Sequence, residues 1–226
     1  MRSSKRNQPQ AAFIFPSPLN RQKGILRFGL WQSRLSLGRN GVRFAKCEGD
    51  GATPVADLRP LRLFLRPDKR GFLRCHPKGW RFIRPHFGWC DAVTHPSYNR
   101  LVRLPFSQSH EEMWRQDALY DAVIETSWNT HPRKQGAGSA IFIHLQRPDQ
   151  GPTAGCLAFE PRNLRLLQQK LPHIGYFRIM ASGRKPVRKS GLTPIDARKW
   201  RCRPAHGSRQ AGSPRQNPHS CPWTIV

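Results

Sequence analysis

Apolar residues along this chain come in short runs, broken by Gly, Pro and polar clusters too often for long helices. In residues 24–43, brief apolar pieces (Ile25 with Leu26, Leu35 with Leu37) alternate with Gly29, Gly38 and Gly41, a hairpin pattern. Further strands are expected at residues 61–65 (LRLFL), at Phe82 with Ile83, and at residues 176–180 as a closing strand. Residues 119–127 (LYDAVIETS) read as a central strand. Two stretches carry helical signals. Residues 109–117 (SHEEMWRQD) offer Ser109 as an N-cap with Glu111 and Glu112 in the first turn. Residues 163–171 (NLRLLQQKL) place Leu164, Leu167 and Leu171 at helical spacing, as a face that packs. The pattern predicts a mainly β domain with one or two short helices. Residues 1–22 read as a disordered basic arm, and residues 181–226 as a Pro/Arg/Ser-rich basic tail that should not fold alone.

Charge changes the picture less than its size suggests. The 226 residues carry a formal net charge of +26, which ordinarily points to nucleic acid or an anionic surface as partner. Residues 1–46 and 176–226 contribute +10 each, whereas residues 91–175 contribute only +1. The excess therefore sits in the flanks, where it would favour salt-sensitive adhesion to an anionic polymer such as cell wall. The seven Trp are scattered and form no stacking array with the basic runs, so no specific nucleic-acid partner is expected. No segment is long enough for a membrane-spanning helix. The apolar stretch 11–15 is broken by Pro16 and Pro18 and lacks a clear cleavage site, so it does not establish a secretion signal. The six cysteines show no CxxC and no regular framework. Cys90 precedes Asp91, whose charge should raise the thiol pKa, which suits a structural residue.

The most chemically suggestive stretch is residues 138–159, GSAIFIHLQRPDQGPTAGCLAF. Ile141, Phe142 and Ile143 form a short apolar run, bounded by glycines before it and Pro148, Gly151 and Pro152 after it, which fits a buried strand. His144 ends that strand, and a polar loop returns the chain to Thr153, Ala154, Gly155 and Cys156. A thiol nucleophile needs a base within reach and N–H groups aimed at the developing oxyanion. Cys156 is the candidate nucleophile and His144 the base that takes and returns its proton. Gly155 omits the Cβ that would block a substrate carbonyl, and the N–H groups of Gly155 and Cys156 are the candidate oxyanion donors. The group orienting His144 is not evident, and a backbone carbonyl would serve. Taken singly, a Cys among apolar residues and a His at a strand end are ordinary structural residues. One His and one Cys make a poor zinc set, and the Asp-Gly turn at residues 48–54 lacks the spacing of a calcium loop, so no metal is expected. Glu111 and Glu112 are adjacent and would face different directions on a helix, which argues against a paired acid/base role.

At these residues the chain resembles the L,D-transpeptidase (YkuD-type) catalytic family of bacterial peptidoglycan cross-linking enzymes. The family motif of a strand-borne His, a loop and Ser/Thr-x-Gly-Cys is matched by His144, Thr153, Gly155 and Cys156. Glu48-Gly49-Asp50-Gly51-Ala52-Thr53-Pro54, Gly88-Trp89-Cys90-Asp91, Tyr98-Asn99-Arg100 and Leu119-Tyr120-Asp121 are similar to a compact subgroup of that family. The resemblance implies a β-sandwich-like catalytic fold over residues 23–180, with Cys156 as nucleophile, His144 as proton donor and acceptor, and Thr153 and Gly155 shaping the turn. It further implies a thioester formed on the third residue of a stem peptide and resolved by a neighbouring amine to give a 3→3 cross-link. Water as acceptor would give L,D-carboxypeptidase activity. Peptidoglycan stem peptides are the implied partner, the cell envelope the implied location, and no cofactor is implied. The chain departs from many members at Ala154, where they carry His, and at Ala158, where they carry Arg. Outside the family, the alternatives are a cysteine hydrolase of another amide and an inert basic scaffold that binds cell wall or nucleic acid. The oligomeric state is open.

Overall fold

The computed structural model describes residues 10–72 and 80–181. Among the described residues fifteen strands appear in chain order, most of them short. They are β1 (Gln10–Pro16), β2 (Lys23–Phe28), β3 (Trp31–Ser36), β4 (Val42–Arg43), β5 (Thr53–Pro54), β6 (Asp57–Leu58), β7 (Pro60–Leu65) and β8 (Arg81–Phe82). After these come β9 (Phe87–Cys90), β10 (Arg100–Arg103), β11 (His110–Glu112), β12 (Ala122–Thr126), β13 (Phe142–Leu145), β14 (Leu157–Phe159) and β15 (Ile174–Ile179). The single α-helix among the described residues, α1 (Pro161–Lys170), opens on a proline at its first position, where the missing N–H costs nothing.

Ten strands form one curled sheet in the order β6-β15-β1-β2-β3-β14-β13-β12-β7-β8. The curl brings β15 back toward β7, so the sheet encloses much of its own core. Strand period explains which residues fill it. Ile143 and Leu145 of β13, Leu157 and Phe159 of β14, and Ile124 of β12 all point inward with Leu164 and Leu167 of α1. The alternate residues Phe142, Val123 and Phe64 point the other way. There they join Trp89, Met113, Tyr120 and Cys156 in a second core beneath a three-stranded sheet, β10-β9-β11. The sheet is thus two-sided, and the second face carries the chemistry discussed below.

The mainly β architecture with one short helix agrees with the sequence pattern, and α1 and β15 fall close to the expected helix and closing strand. Two expectations are corrected. Residues 10–16 lie within the expected arm, yet they form β1, paired parallel with β15 and antiparallel with β2, with Ala12 and Ile14 fully buried. Burial of alternate apolar side chains outweighs the disorder signal of the flanking prolines. Residues 109–117 form no helical turn: His110, Glu111 and Glu112 pair with Cys90, Trp89 and Gly88 of β9. The ladder and the burial of Met113 override the N-cap signal. The rest of the expected arm up to residue 9 and the tail from residue 182 lie outside the described residues. No helix among the described residues is long and apolar enough to cross a membrane.

Candidate active site

Parallel pairing of β13 with β14 sets Ile143 opposite Leu157 and His144 opposite Ala158. Cys156 lies two residues before Ala158, so the period of two puts it on the same face as His144, one diagonal step away. Both side chains open on a cavity of about 790 Å³, which Thr153, Ala154, Gly155, Tyr120, Glu111 and Ala158 also line. The sequence-predicted nucleophile, base and turn residues therefore converge on one cleft. Cys156 and His144 are nonetheless buried, 8% and 7% exposed.

Each of the two is held by backbone. The Cys156 thiol donates to the Ala140 carbonyl (3.0 Å), and the Phe142 N–H donates to Sγ (3.4 Å). His144 Nδ1 lies 2.7 Å from the Leu145 carbonyl. A carbonyl only accepts, so Nδ1 carries the proton and Nε2 is left as the basic nitrogen. The orienting group is thus a carbonyl. The Tyr120 ring meets the imidazole edge-on, with centroids 5.3 Å apart, and fixes its plane.

Burial pushes the Cys156 thiol up to about 12; the nearby Glu111 carboxylate adds to the rise, while the Phe142 N–H and the Lys46 ammonium oppose it. Burial also lowers His144 to about 4, against the pull of the Leu145 carbonyl, with Arg115 and Arg147 adding to the fall. At neutral pH the resting pair is therefore a neutral thiol and a neutral imidazole.

The turn before the nucleophile is built by Thr153. Its Oγ1 donates to the Cys156 carbonyl (2.7 Å) and accepts from the Gly155 N–H (3.1 Å). The Gly155 N–H is thereby engaged inside the turn. Of the two expected oxyanion donors, Gly155 is thus corrected to a turn-forming role. Gly155 has φ +143, and a Cβ there would lie 2.8 Å from the Ala52 carbonyl oxygen. Ala52 belongs to the Glu48–Pro54 turn seen in the sequence, whose Asp50 accepts from Lys46 Nζ (2.6 Å), the Cys47 N–H (3.0 Å) and the Ala52 N–H (2.9 Å). That turn presses on the nucleophile's loop, and only a glycine permits the approach.

Three residues had no role assigned from sequence. Asn99 accepts from Trp89 Nε1 (2.9 Å) and the Ala140 N–H (3.0 Å), and donates to the carbonyls of Trp128 (3.0 Å) and Asn129 (2.9 Å). It holds Ala140 in a left-handed conformation, φ 49, with its carbonyl on the thiol. Tyr120 donates to Glu111 Oε1 (2.6 Å), so a phenol and a carboxylate stand beside the Cys–His pair. Arg115 is held by Asp117, by Glu111 at 3.8 Å and over the Tyr120 ring, while Arg66 anchors the Arg115 carbonyl (2.6 Å). Asn99 and Tyr120 stand in motif segments quoted above, but local sequence carries no signal of what they touch.

Cys90 is buried; burial raises its thiol pKa and Asp91 adds to the rise. It pairs in β9 with Arg100 and His110 and is not among the residues lining the cleft, in keeping with a structural residue. Among the described residues no group of three or more His, Cys, Asp or Glu side chains is placed to hold a metal. No family model matches the chain, and no curated protein or solved structure matches it significantly.

Proposed function

We propose that the chain is a cysteine acyltransferase of the L,D-transpeptidase type, acting on peptidoglycan stem peptides in the cell envelope. The observation that carries the reading is the placement of Cys156 and an Nδ1-tethered His144 on one face of paired strands, at the floor of a single cavity. A buried histidine serving only the fold has no need to share a cleft with a thiol on the same strand face.

The neutral resting pair dictates the order of events. The stem carbonyl enters over Gly155, the thiol turns from the Ala140 carbonyl that holds it at rest, and Sγ attacks as its proton passes to His144 Nε2, so no free thiolate has to persist in an apolar site. The Cys156 N–H is the oxyanion donor, since the Gly155 N–H serves the turn. The C–N bond to the terminal D-residue then breaks, and His144 gives its proton to the leaving amine. The thioester passes to a neighbouring stem amine, giving a 3→3 cross-link and restoring the thiol. This sequence uses no cofactor. The compact fold expected for the family is in keeping with the curled sheet and the one short helix among the described residues, and Ala154 and Ala158 leave the cleft roomy beside the nucleophile.

The test is product analysis after incubating the purified chain with tetrapeptide muropeptides. Cross-linked dimers with loss of the terminal D-residue are expected; tripeptide alone would make the enzyme an L,D-carboxypeptidase, and unchanged substrate would leave an inert basic scaffold.

A further inference from the structure

We infer that Arg39 and Arg147 form the subsite that takes the free carboxylate of the donor's terminal residue, which restricts acyl transfer to the end residue of a peptide. The inference rests on the acyl-transfer reading above and deepens it by naming what the leaving group must carry. Four arginine and lysine side chains line the cleft that holds Cys156 and His144: Arg39, Lys46, Arg115 and Arg147. Two of them are already engaged, Lys46 by Asp50 and Arg115 by Asp117 and Glu111. Arg39 and Arg147 make no ion pair among the described residues. The acids near them are occupied as well. Asp149, in the same turn as Arg147, accepts from the Gly151 N–H (2.9 Å), and Glu48 accepts from the Tyr98 hydroxyl.

Exposed arginines are ordinary in a chain this basic, but the placement of these two is not. Gly38 bridges to Thr153, and the Arg39 N–H donates to the Thr153 carbonyl (2.9 Å), so Arg39 is fastened to the turn that carries Cys156. Its side chain then runs over Gly51, where a Cβ would come within 2.7 Å of Nε and 3.2 Å of Cζ; the glycine leaves that path open. Arg147 lies three residues past His144 and opens a turn in which the Gln150 N–H donates to its carbonyl (2.9 Å). The turn is pinned to β3 by Ser36, fully buried, which donates to the Gln150 carbonyl (3.0 Å) and accepts from Gln146 Nε2 (2.5 Å). The Lys23 ammonium also donates to that carbonyl. One guanidinium is thus carried by the nucleophile's side of the cleft and the other by the base's side, and the Arg147 charge is felt at the imidazole.

The chemistry supplies a matching anion. In the end residue of a peptide, the carboxylate carbon is joined through one Cα to the scissile nitrogen, about 3–4 Å from the carbonyl carbon under attack. With that carbonyl at Sγ, the carboxylate has to lie inside the cleft. Guanidinium groups present paired N–H donors that fit a carboxylate. Glu48, Asp91, Glu111 and Glu112, which also line the cleft, repel it, so the two arginines set the direction in which the donor lies. An internal residue offers a neutral amide at the same place and forfeits the charge-assisted bonds.

The experiment measures acylation of Cys156 in the full chain by two donors: a tetrapeptide stem with its free terminal carboxylate, and the same peptide with that group as the amide. Wild type should use the free acid at least about tenfold better in kcat/KM, roughly the worth of one hydrogen bond to a charged group. Arg39→Gln combined with Arg147→Gln should bring the two donors to within about threefold of each other, through loss with the free acid alone. A merely structural pair would slow both donors alike, so a double variant that keeps the wild-type ratio overturns the subsite. If urea unfolding shows that the double variant does not fold, Arg147→Gln alone must lower the ratio by about threefold or more, and an unchanged ratio overturns the subsite. Wild type acylated by neither donor removes the acyl-transfer reading itself, whereas equal acylation by both leaves that reading and removes only this subsite.

Discussion

Replacing Asn99 by Ala should damage both the fold and the nucleophile's setting. The side chain bridges four backbone or indole groups from three separate segments. Its loss strands two donors, the Trp89 indole N–H and the Ala140 N–H, and Trp89 and Ala140 are 2% and 9% exposed. Each buried donor left unmade costs about 1–3 kcal/mol, and entering water would hold the pair toward the low end. Asn99 itself has φ 53, where Asn is at ease and Ala adds about 1 kcal/mol. The expected loss is about 3–5 kcal/mol, read from urea unfolding at pH 7. For a domain of this size that corresponds to a fall in Tm of about 10 °C. The same change frees Ala140 from its left-handed conformation and moves the carbonyl that holds the thiol, so acylation of Cys156 should slow by about tenfold or more. A stability loss under about 1 kcal/mol with unchanged acylation would refute the reasoning, since Ala140 would then keep its place without the bridge.

Gly155→Ala should keep the β core yet lower acylation about 100-fold, because the new Cβ meets the Ala52 carbonyl at 2.8 Å and displaces the nucleophile's loop; activity within threefold of wild type would count against that contact. His144 gives a pH dependence of definite sign. Its folded pKa, about 4, lies below the ordinary 6.5, so its contribution is present above pH 6.5 and is lost as pH falls through 4. Between pH 7 and 4.5 wild type should lose about 2.5 kcal/mol more than His144→Gln in urea unfolding, and parallel curves would contradict the buried neutral imidazole. Lys46→Met should cost about 3 kcal/mol, because the Lys46 and Asp50 side chains are 2% and 7% exposed and the carboxylate loses its cation. That variant should also raise the Cys156 thiol pKa further, seen as slower iodoacetamide labelling at pH 9.

How far the molecule could be read from its sequence depended on how local each signal was. The strand ending at His144, the central strand at Ala122–Thr126 and the leucine face of α1 declare themselves by period alone, because each buries one side against the core. The first strand did not. Its partner in register, Ile174–Ile179, lies at the other end of the described chain, and no local pattern reports a parallel pairing at that distance. Residues 109–117 carried a genuine capping signal that lost to the ladder with β9, a tertiary preference again. The site divides the same way. Cys156 and His144 were visible through motif spacing, whereas Asn99, Tyr120 and Glu111 act through contacts that only the folded sheets create.

A covalent trap reaches the account most directly. The full chain is incubated with a carbapenem, which the proposed thioester chemistry should accept, and its intact mass is measured together with the site of modification. One adduct on Cys156 is expected, absent in Cys156→Ala and greatly slowed in His144→Ala. An unmodified wild-type chain, or an adduct on another cysteine that survives in Cys156→Ala, would contradict the claim that this thiol and this imidazole form a catalytic pair.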